Sequence, residues 1–177
     1  TLGRAHACTV ASPIRSPGAS ALKAPYDAAR ELGVEHFVKA ALRAKPDGIL
    51  VLLDADLECE RRKATRGEGL GPELLRRARQ IAAHVSIAVV VADPEYEAWF
   101  LRHAPLVFPE HASQPLEAPR GSKAAIERLL GQKYLETRDQ RAFTKRLPIP
   151  TADEIDAISD HSYRKLCREV LRLLGDD

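Results

Sequence analysis

Two short apolar runs dominate the pattern of this chain, and each of them ends at an acidic residue. The run "ILVLL" (Ile49 to Leu53) leads into Asp54, and the run "IAVVVA" (Ile87 to Ala92) leads into Asp93. Because branched apolar residues would lie on both faces, the two runs predict strands that are covered on both sides, as in a parallel sheet. Ala7 to Arg15 is compatible with a further short strand.

Apolar residues spaced three and four positions apart predict helices before, between and after the two strands. Proline and glycine, as in "KPDG" at residues 45–48, separate the segments. The predicted helices cover Gly33 to Ala44, a segment opened by Gly71 and Pro72, a segment after Pro94 that carries Trp99 and Phe100, Ser122 to Leu130, Thr151 to Ile158, and Ser162 to Leu174. This alternation of helices and strands predicts an α/β fold with a doubly wound parallel sheet flanked by helices.

The length of 177 residues predicts a single domain. Within it we expect an α/β core over residues 1–104, a proline-rich loop over residues 105–121 and a helical C-terminal part over residues 122–177. A further loop is expected at Cys59 to Gly69, which is charged and contains glycine. With 45% apolar residues, the chain is able to bury a sizeable core.

Composition and charge exclude several classes of protein. The formal net charge of +2 provides no global attraction to nucleic acid or to a membrane surface. The 3 cysteines lack the spacing of a zinc site, and such a sparse set suits a reducing cytoplasm. No apolar run approaches the roughly 18 residues of a membrane helix. We therefore expect a cytoplasmic protein without a membrane partner.

Carboxylates gather where the two predicted strands end. Sites in open α/β sheets form at the carboxyl ends of the strands, so Asp54 and Asp93 are expected at the same edge. Asp56 would point the same way as Asp54, and Glu97 would follow Asp93 within one helical turn. Like charges this close repel unless a cation holds them, and oxygen ligands suit Mg²⁺ or Mn²⁺. The predicted metal ligands are Asp54, Asp56, Glu97 and Asp93.

Most of these acids also have a purely structural explanation. Asp93 precedes Pro94 and is better explained as the N-cap of the next helix. Glu97 is compatible with a solvated helix surface, and Asp54 is compatible with a turn at the end of a strand. Asp56 is harder to explain in this way, because a second acid adds repulsion without a structural need.

The segment from Arg120 to Arg146 is rich in lysine and arginine, a pattern that usually marks a solvated helical surface. Its first part, "PRGSK", is more specific. Ser122 is expected to cap the following helix, whose free N–H groups would form an anion site. Arg120 and Lys123 flank that position, so Arg120, Ser122 and Lys123 are the candidates for binding phosphate.

Several motifs occur in a recognisable order. The stretch "LLDADLE" resembles the DxD motif of Toprim domains, and "DPEYEAWFL", "PRGSK" and "SYRKL" follow it. Together they resemble a family of uncharacterised bacterial proteins with a Toprim-like fold, related to OLD-type nucleases. The resemblance covers roughly Ile49 to Leu171. It implies a Toprim-like (Rossmannoid) fold in which Asp54 and Asp56 bind Mg²⁺ and Lys123 acts near the metal.

The resemblance implies an Mg²⁺-dependent phosphodiester hydrolase, nuclease-like and acting on nucleic acid. By analogy alone it also implies a partner ATPase and a role in defence against mobile DNA. Toprim enzymes further use a glutamate on an earlier strand, followed by glycine, and no such segment precedes Ile49. Either it lies upstream of Thr1, or the chain cannot complete the site, and in both cases the sequence from Thr1 to Asp177 is expected to cleave little or no DNA.

Glu97 is the first candidate for the role of that glutamate. The missing segment favours a different hypothesis, in which the chain is a non-catalytic binding or regulatory subunit that keeps the fold without the chemistry. A third hypothesis is a nucleotide phosphatase that uses the same acids.

Overall fold

The computed structural model describes residues 9–55, 69–118 and 120–175, over which short helices alternate with two strands. The helices are α1 (Ala19–Lys23), α2 (Val34–Leu42), α3 (Leu70–Ile81), α4 (Tyr96–Arg102), α5 (Ala104–Val107), α6 (Ser122–Leu130), α7 (Arg141–Thr144) and α8 (His161–Leu174), and the strands are β1 (Gly48–Asp54) and β2 (Ser86–Ala92). A π-helical turn covers Glu136–Gln140, and a 3₁₀ helix covers Ala152–Ala157.

The two strands pair in parallel and form a two-stranded sheet that packs against helices. The α/β class expected from the sequence is therefore confirmed at this level. β2 is buried along almost its whole length, as expected for a strand covered on both faces. Within the described ranges, none of the helices has the length and apolarity that a membrane span requires.

The prediction that β1 is covered on both faces is wrong. Leu50 and Leu52 on one face are 40% and 38% exposed, whereas Ile49 and Leu53 on the other face are buried. Successive side chains of a strand point to opposite faces, so a single packed layer covers only every second residue. An unbroken apolar run does not reveal how many layers cover the strand.

The short strand suggested by Ala7 to Arg15 is also not observed. Residues 9–15 have no regular structure, and residues 7 and 8 lie outside the described ranges. Val10 and Ile14 are 85% and 50% exposed, so the segment has neither a neighbouring strand nor a covering layer. The predicted loop at Cys59 to Gly69 lies outside the described residues apart from Gly69.

Most predicted helices are observed close to their expected bounds. The helices predicted at Gly33 to Ala44, Ser122 to Leu130 and Ser162 to Leu174 correspond to α2, α6 and α8. The segment at Thr151 to Ile158 is a 3₁₀ helix rather than an α-helix, and it has the capping box of Thr151 and Glu154. The proline-rich stretch expected to be a loop includes most of α5.

The described residues fall into two compact units. The first contains α1, α2, α3, the start of β1, most of β2 and the last residues of α8.

The main polar contacts of this first unit are made by Arg77. It donates to both carboxylate oxygens of Glu35 at 2.8 and 2.7 Å and to the carbonyl oxygens of Lys23 and Ala24. Burial opposes the charge of Glu35, but these hydrogen bonds hold its pKa below the ordinary value. Arg77 thus ties α1 and α2 to α3.

The second unit contains the carboxyl ends of both strands, α4 to α7 and the first turns of α8. Its core is aromatic, and Trp99 and Phe100 of α4 are fully buried. The indole N–H of Trp99 donates to the hydroxyl of Ser162 at 2.8 Å. Asp160 accepts backbone N–H groups of Ser162 and Tyr163 and thereby caps α8. This unit carries the candidate site.

Candidate functional site

Asp54 lies at the end of β1, half-buried, and is held by the start of α4. One of its carboxylate oxygens, Oδ1, accepts the backbone N–H of Tyr96 at 2.8 Å. A carboxylate next to the first residue of a helix is favoured by the partial positive charge of the free N–H groups. The position of Asp54 is therefore fixed by the backbone of a second element.

The expected N-cap role of Asp93 is wrong, because α4 begins at Tyr96 and its N-cap is Glu95. Asp93 is exposed and lines a polar cleft with Arg102, Asp160 and other residues of the same unit. The charges that act on Glu97 come from Lys123 and Asp54, and Asp93 is not among them. Asp54 rather than Asp93 therefore belongs with Glu97 in the candidate site.

Glu97 is buried, so the alternative of a solvated helix residue is wrong. Its side chain is 2% exposed, and its oxygen Oε1 accepts a hydrogen bond from the hydroxyl of Tyr134 at 3.2 Å. Lys123 Nζ lies 3.9 Å from the same oxygen. Burial raises the pKa of Glu97, and the charge of Asp54 adds to this, while Lys123 and Tyr134 oppose the shift. A buried carboxylate beside a second one costs free energy unless a cation compensates it.

Lys123 is a cation that lies close to Glu97. It lies on the first turn of α6, with 43% of its side chain exposed, and it also donates a hydrogen bond to the exposed carboxylate of Glu136. Burial works against its charge, but Glu136, Glu97 and Asp54 together hold the pKa of Lys123 above the ordinary value. Lys123 therefore stays charged and has one side open to solvent.

The predicted cap at Ser122 is corrected by the structure. Gly121 is the N-cap of α6, with a φ of 78°, and Ser122 is a buried residue inside the helix. The backbone N–H of Ser122 donates to the carboxylate of Glu95. A carboxylate of the chain itself thus contacts the helix start at which the sequence predicted phosphate. Arg120 lies beside it and is exposed.

Three residues of this site were not found from the sequence: Glu95, Tyr134 and Glu136. Tyr134 lies 37 positions from Glu97, and Glu95 lies 27 positions from Ser122. No spacing rule connects residues this far apart. Lys123 and Glu136 are 13 positions apart, which also exceeds the three or four positions over which charges pair along a helix.

No known protein family, curated protein or solved structure matches this chain. The likeness to Toprim domains therefore stays a prediction.

The donor atoms of the site are of the type that a hard divalent cation takes. Asp54 and Glu97 offer carboxylate oxygens only, which fits Mg²⁺ or Mn²⁺. Among the described residues, no three His, Cys, Asp or Glu side chains form a group that could hold a metal ion. Asp56, another of the four predicted ligands, lies outside the described residues. Of the three predicted ligands in the described part, Asp54 and Glu97 belong to this site, and Asp93 is not among the charges that act on Glu97.

Proposed function

We propose that this chain is a divalent-metal-dependent phosphodiester hydrolase that acts on nucleic acid and has a Toprim-like fold. One observation carries the proposal. A buried carboxylate, Glu97, lies 3.9 Å from the ammonium of Lys123 and within reach of the charge of Asp54, which ends β1 and accepts the N–H of Tyr96, the residue before Glu97. Carboxylates with a lysine at the carboxyl edge of a sheet are the groups needed to hold a cation and to contact a phosphate.

Each residue would have a distinct role. Asp54 and Glu97 would hold the cation, together with Asp56 as the sequence predicts. When bound, the cation would polarise a phosphoryl oxygen and make a bound water more acidic. Lys123 would neutralise charge on the phosphate, since its ammonium group is partly open to solvent. The placement of Glu97 supports it as the carboxylate that the resemblance leaves missing.

Replacing Asp54 with asparagine should abolish stabilisation by Mn²⁺. The amide keeps an oxygen for the N–H of Tyr96, so the local fold should persist, but the charge that attracts the cation is lost. Mn²⁺ at 100 times its dissociation constant should stabilise the wild type by about 2.7 kcal/mol. The measurement is the melting temperature with Mn²⁺ or with a chelator.

Asp93→Asn is the matched control, since Asp93 follows the other strand, is exposed and is not among the charges that act on Glu97. This variant should keep the full response to Mn²⁺. An Asp54→Asn variant that Mn²⁺ stabilises as strongly as the wild type would rule out Asp54 as a ligand.

Lys123→Ala should weaken the binding of nucleic acid, and Glu136→Gln should strengthen it. The carboxylate of Glu136 competes with a phosphate for the ammonium group of Lys123. Loss of one phosphate contact should reduce the slope of log affinity against log salt by about 1. The measurement is the affinity for a fluorescent DNA across a salt series.

Lys133→Ala is the control for this pair of variants, because Lys133 is exposed and belongs to the same basic segment. It should change affinity less than Lys123→Ala does. Equal effects of the two lysine variants would show that Lys123 acts only through general charge.

A second function, a non-catalytic binding or regulatory subunit, is favoured by one observation. The chain's own carboxylates contact two of the three predicted phosphate-binding residues, since Glu95 accepts the N–H of Ser122 and Glu136 accepts from Lys123. These two contacts can stabilise the folded chain even if the chain catalyses no reaction. Binding of DNA with no stabilisation by Mn²⁺ and no cleavage would select this function.

A further inference from the structure

We infer that Tyr134 is a positioning residue that holds one oxygen of Glu97, so that the other oxygen is presented to the cation. The inference rests on the proposed function, because it assigns Tyr134 a role at the same site. It adds a residue from a segment between α6 and α7 that no sequence motif includes.

The contacts on Glu97 are uneven between its two oxygens. The hydroxyl of Tyr134 donates to Oε1 at 3.2 Å, and the ammonium of Lys123 lies 3.9 Å from the same Oε1. Both side-chain contacts are thus made to Oε1, so Tyr134 and Lys123 act on the same oxygen. This arrangement leaves Oε2 as the oxygen that Tyr134 would turn toward a cation.

Tyr134 is itself held firmly, which a positioning residue requires. It is 6% exposed, and its backbone N–H donates to the side chain of Glu127 on α6 at 3.1 Å. Its ring stacks on that of Phe143, with the ring planes 15° apart and the centroids 6.0 Å apart. Phe143 in turn packs edge-on against Phe100 and Phe108. Backbone and ring thus fix the hydroxyl from two independent sides.

The need for such a residue follows from the flexibility of glutamate. The last torsion of the side chain is broad, so a carboxylate turns easily and exchanges its two oxygens. A hydrogen bond to one oxygen selects a single orientation. Groups that orient a metal ligand in this way typically contribute about 10-fold to 100-fold to metal affinity or activity.

The experiment replaces Tyr134 with phenylalanine, which keeps the ring and removes only the hydroxyl. The dissociation constant for Mn²⁺, measured with the metal alone by electron paramagnetic resonance of free Mn²⁺, should rise by about 10-fold to 100-fold. In the Glu97→Gln background the same change should have no further effect, because the two residues act as one unit.

Tyr163→Phe is the matched control. The hydroxyl of Tyr163 is part-buried and donates to the carbonyl of Pro148 at 2.6 Å, in the same compact unit but apart from Glu97. This variant should lower the melting temperature and leave the affinity for Mn²⁺ unchanged. The control separates loss of a tyrosine hydrogen bond in general from loss of this one.

The outcomes separate this inference from the proposed function. If Glu97→Gln loses Mn²⁺ binding and Tyr134→Phe binds as tightly as the wild type, the positioning role is overturned and the proposed metal site stands. If Glu97→Gln binds Mn²⁺ like the wild type, the proposed ligand and the role of Tyr134 are both overturned. Equal weakening in Tyr134→Phe and Tyr163→Phe would show a structural effect and also overturn the role.

Discussion

Replacing Glu97 with glutamine should lower Mn²⁺-dependent cleavage of DNA by about 10²-fold to 10⁴-fold, the usual cost of removing a group that moves a proton. Glutamine keeps the size of the side chain and an oxygen that can accept from Tyr134, so the surrounding structure should persist. It lacks the negative charge that binds a cation and the basicity that takes up a proton. The measurement is the initial rate of plasmid cleavage at saturating Mn²⁺.

Glu127→Gln is the matched control, since Glu127 also contacts Tyr134 but accepts from its backbone rather than from its hydroxyl. This variant should cleave at a rate close to that of the wild type. A Glu97→Gln variant as active as the wild type would exclude Glu97 from the reaction. Equally slow cleavage by Glu97→Gln and Glu127→Gln would show that loss of a negative charge in this unit lowers the rate by disturbing the fold.

The Glu97→Gln variant should also change how stability depends on pH in the absence of metal. Burial raises the pKa of Glu97 above the ordinary value of 4.5, so the unfolded chain releases this proton at a lower pH than the folded chain. Below pH 4.5 the side chain of Glu97 is protonated in both states, so its charge costs no stability. Above the pKa of the folded state it is charged in both states, and the cost of burying that charge lowers the stability of the wild type in full. The stability of Glu97→Gln relative to the wild type should rise through that window. Urea unfolding in a chelator measures it, and a constant difference would contradict the shift.

Replacing Trp99 with alanine should lower the free energy of unfolding by about 3 to 5 kcal/mol, as large aromatic-to-alanine changes in cores do. Trp99 is fully buried, and its ring centroid lies 5.0 Å from that of Tyr96 and 5.4 Å from that of Tyr163. The change leaves a cavity and also removes the indole N–H that donates to Ser162. Urea unfolding followed by far-ultraviolet circular dichroism gives the free energy.

Leu106→Ala is the control for this prediction, because Leu106 is a large apolar residue of the same unit that is 53% exposed. It should cost much less, since little apolar surface is removed from the core. Trp99→Phe should lie between the two, because it keeps an aromatic ring and loses the hydrogen bond. A Trp99→Ala cost no greater than that of Leu106→Ala would contradict the packing seen around α4.

Local spacing is sufficient to predict much of the secondary structure. The helices α2 and α8 follow from apolar residues three and four positions apart, and the capping box at Thr151 follows from a glutamate three positions on. Local spacing does not predict how many layers of structure pack against a strand. Leu50 and Leu52 belong to the same apolar run as Ile49 and Leu53, and only packing leaves one face of β1 exposed.

The sequence by itself determined that Asp54 ends a strand and that Glu97 lies in the helix after the second strand, because both depend on neighbouring residues. Only the tertiary structure decided that Glu97 is buried and bonded to Tyr134, and that Glu95 contacts the start of α6. These contacts join residues 37 and 27 positions apart. They depend on how helices pack in space, and packing between distant segments leaves no periodic signal in the chain.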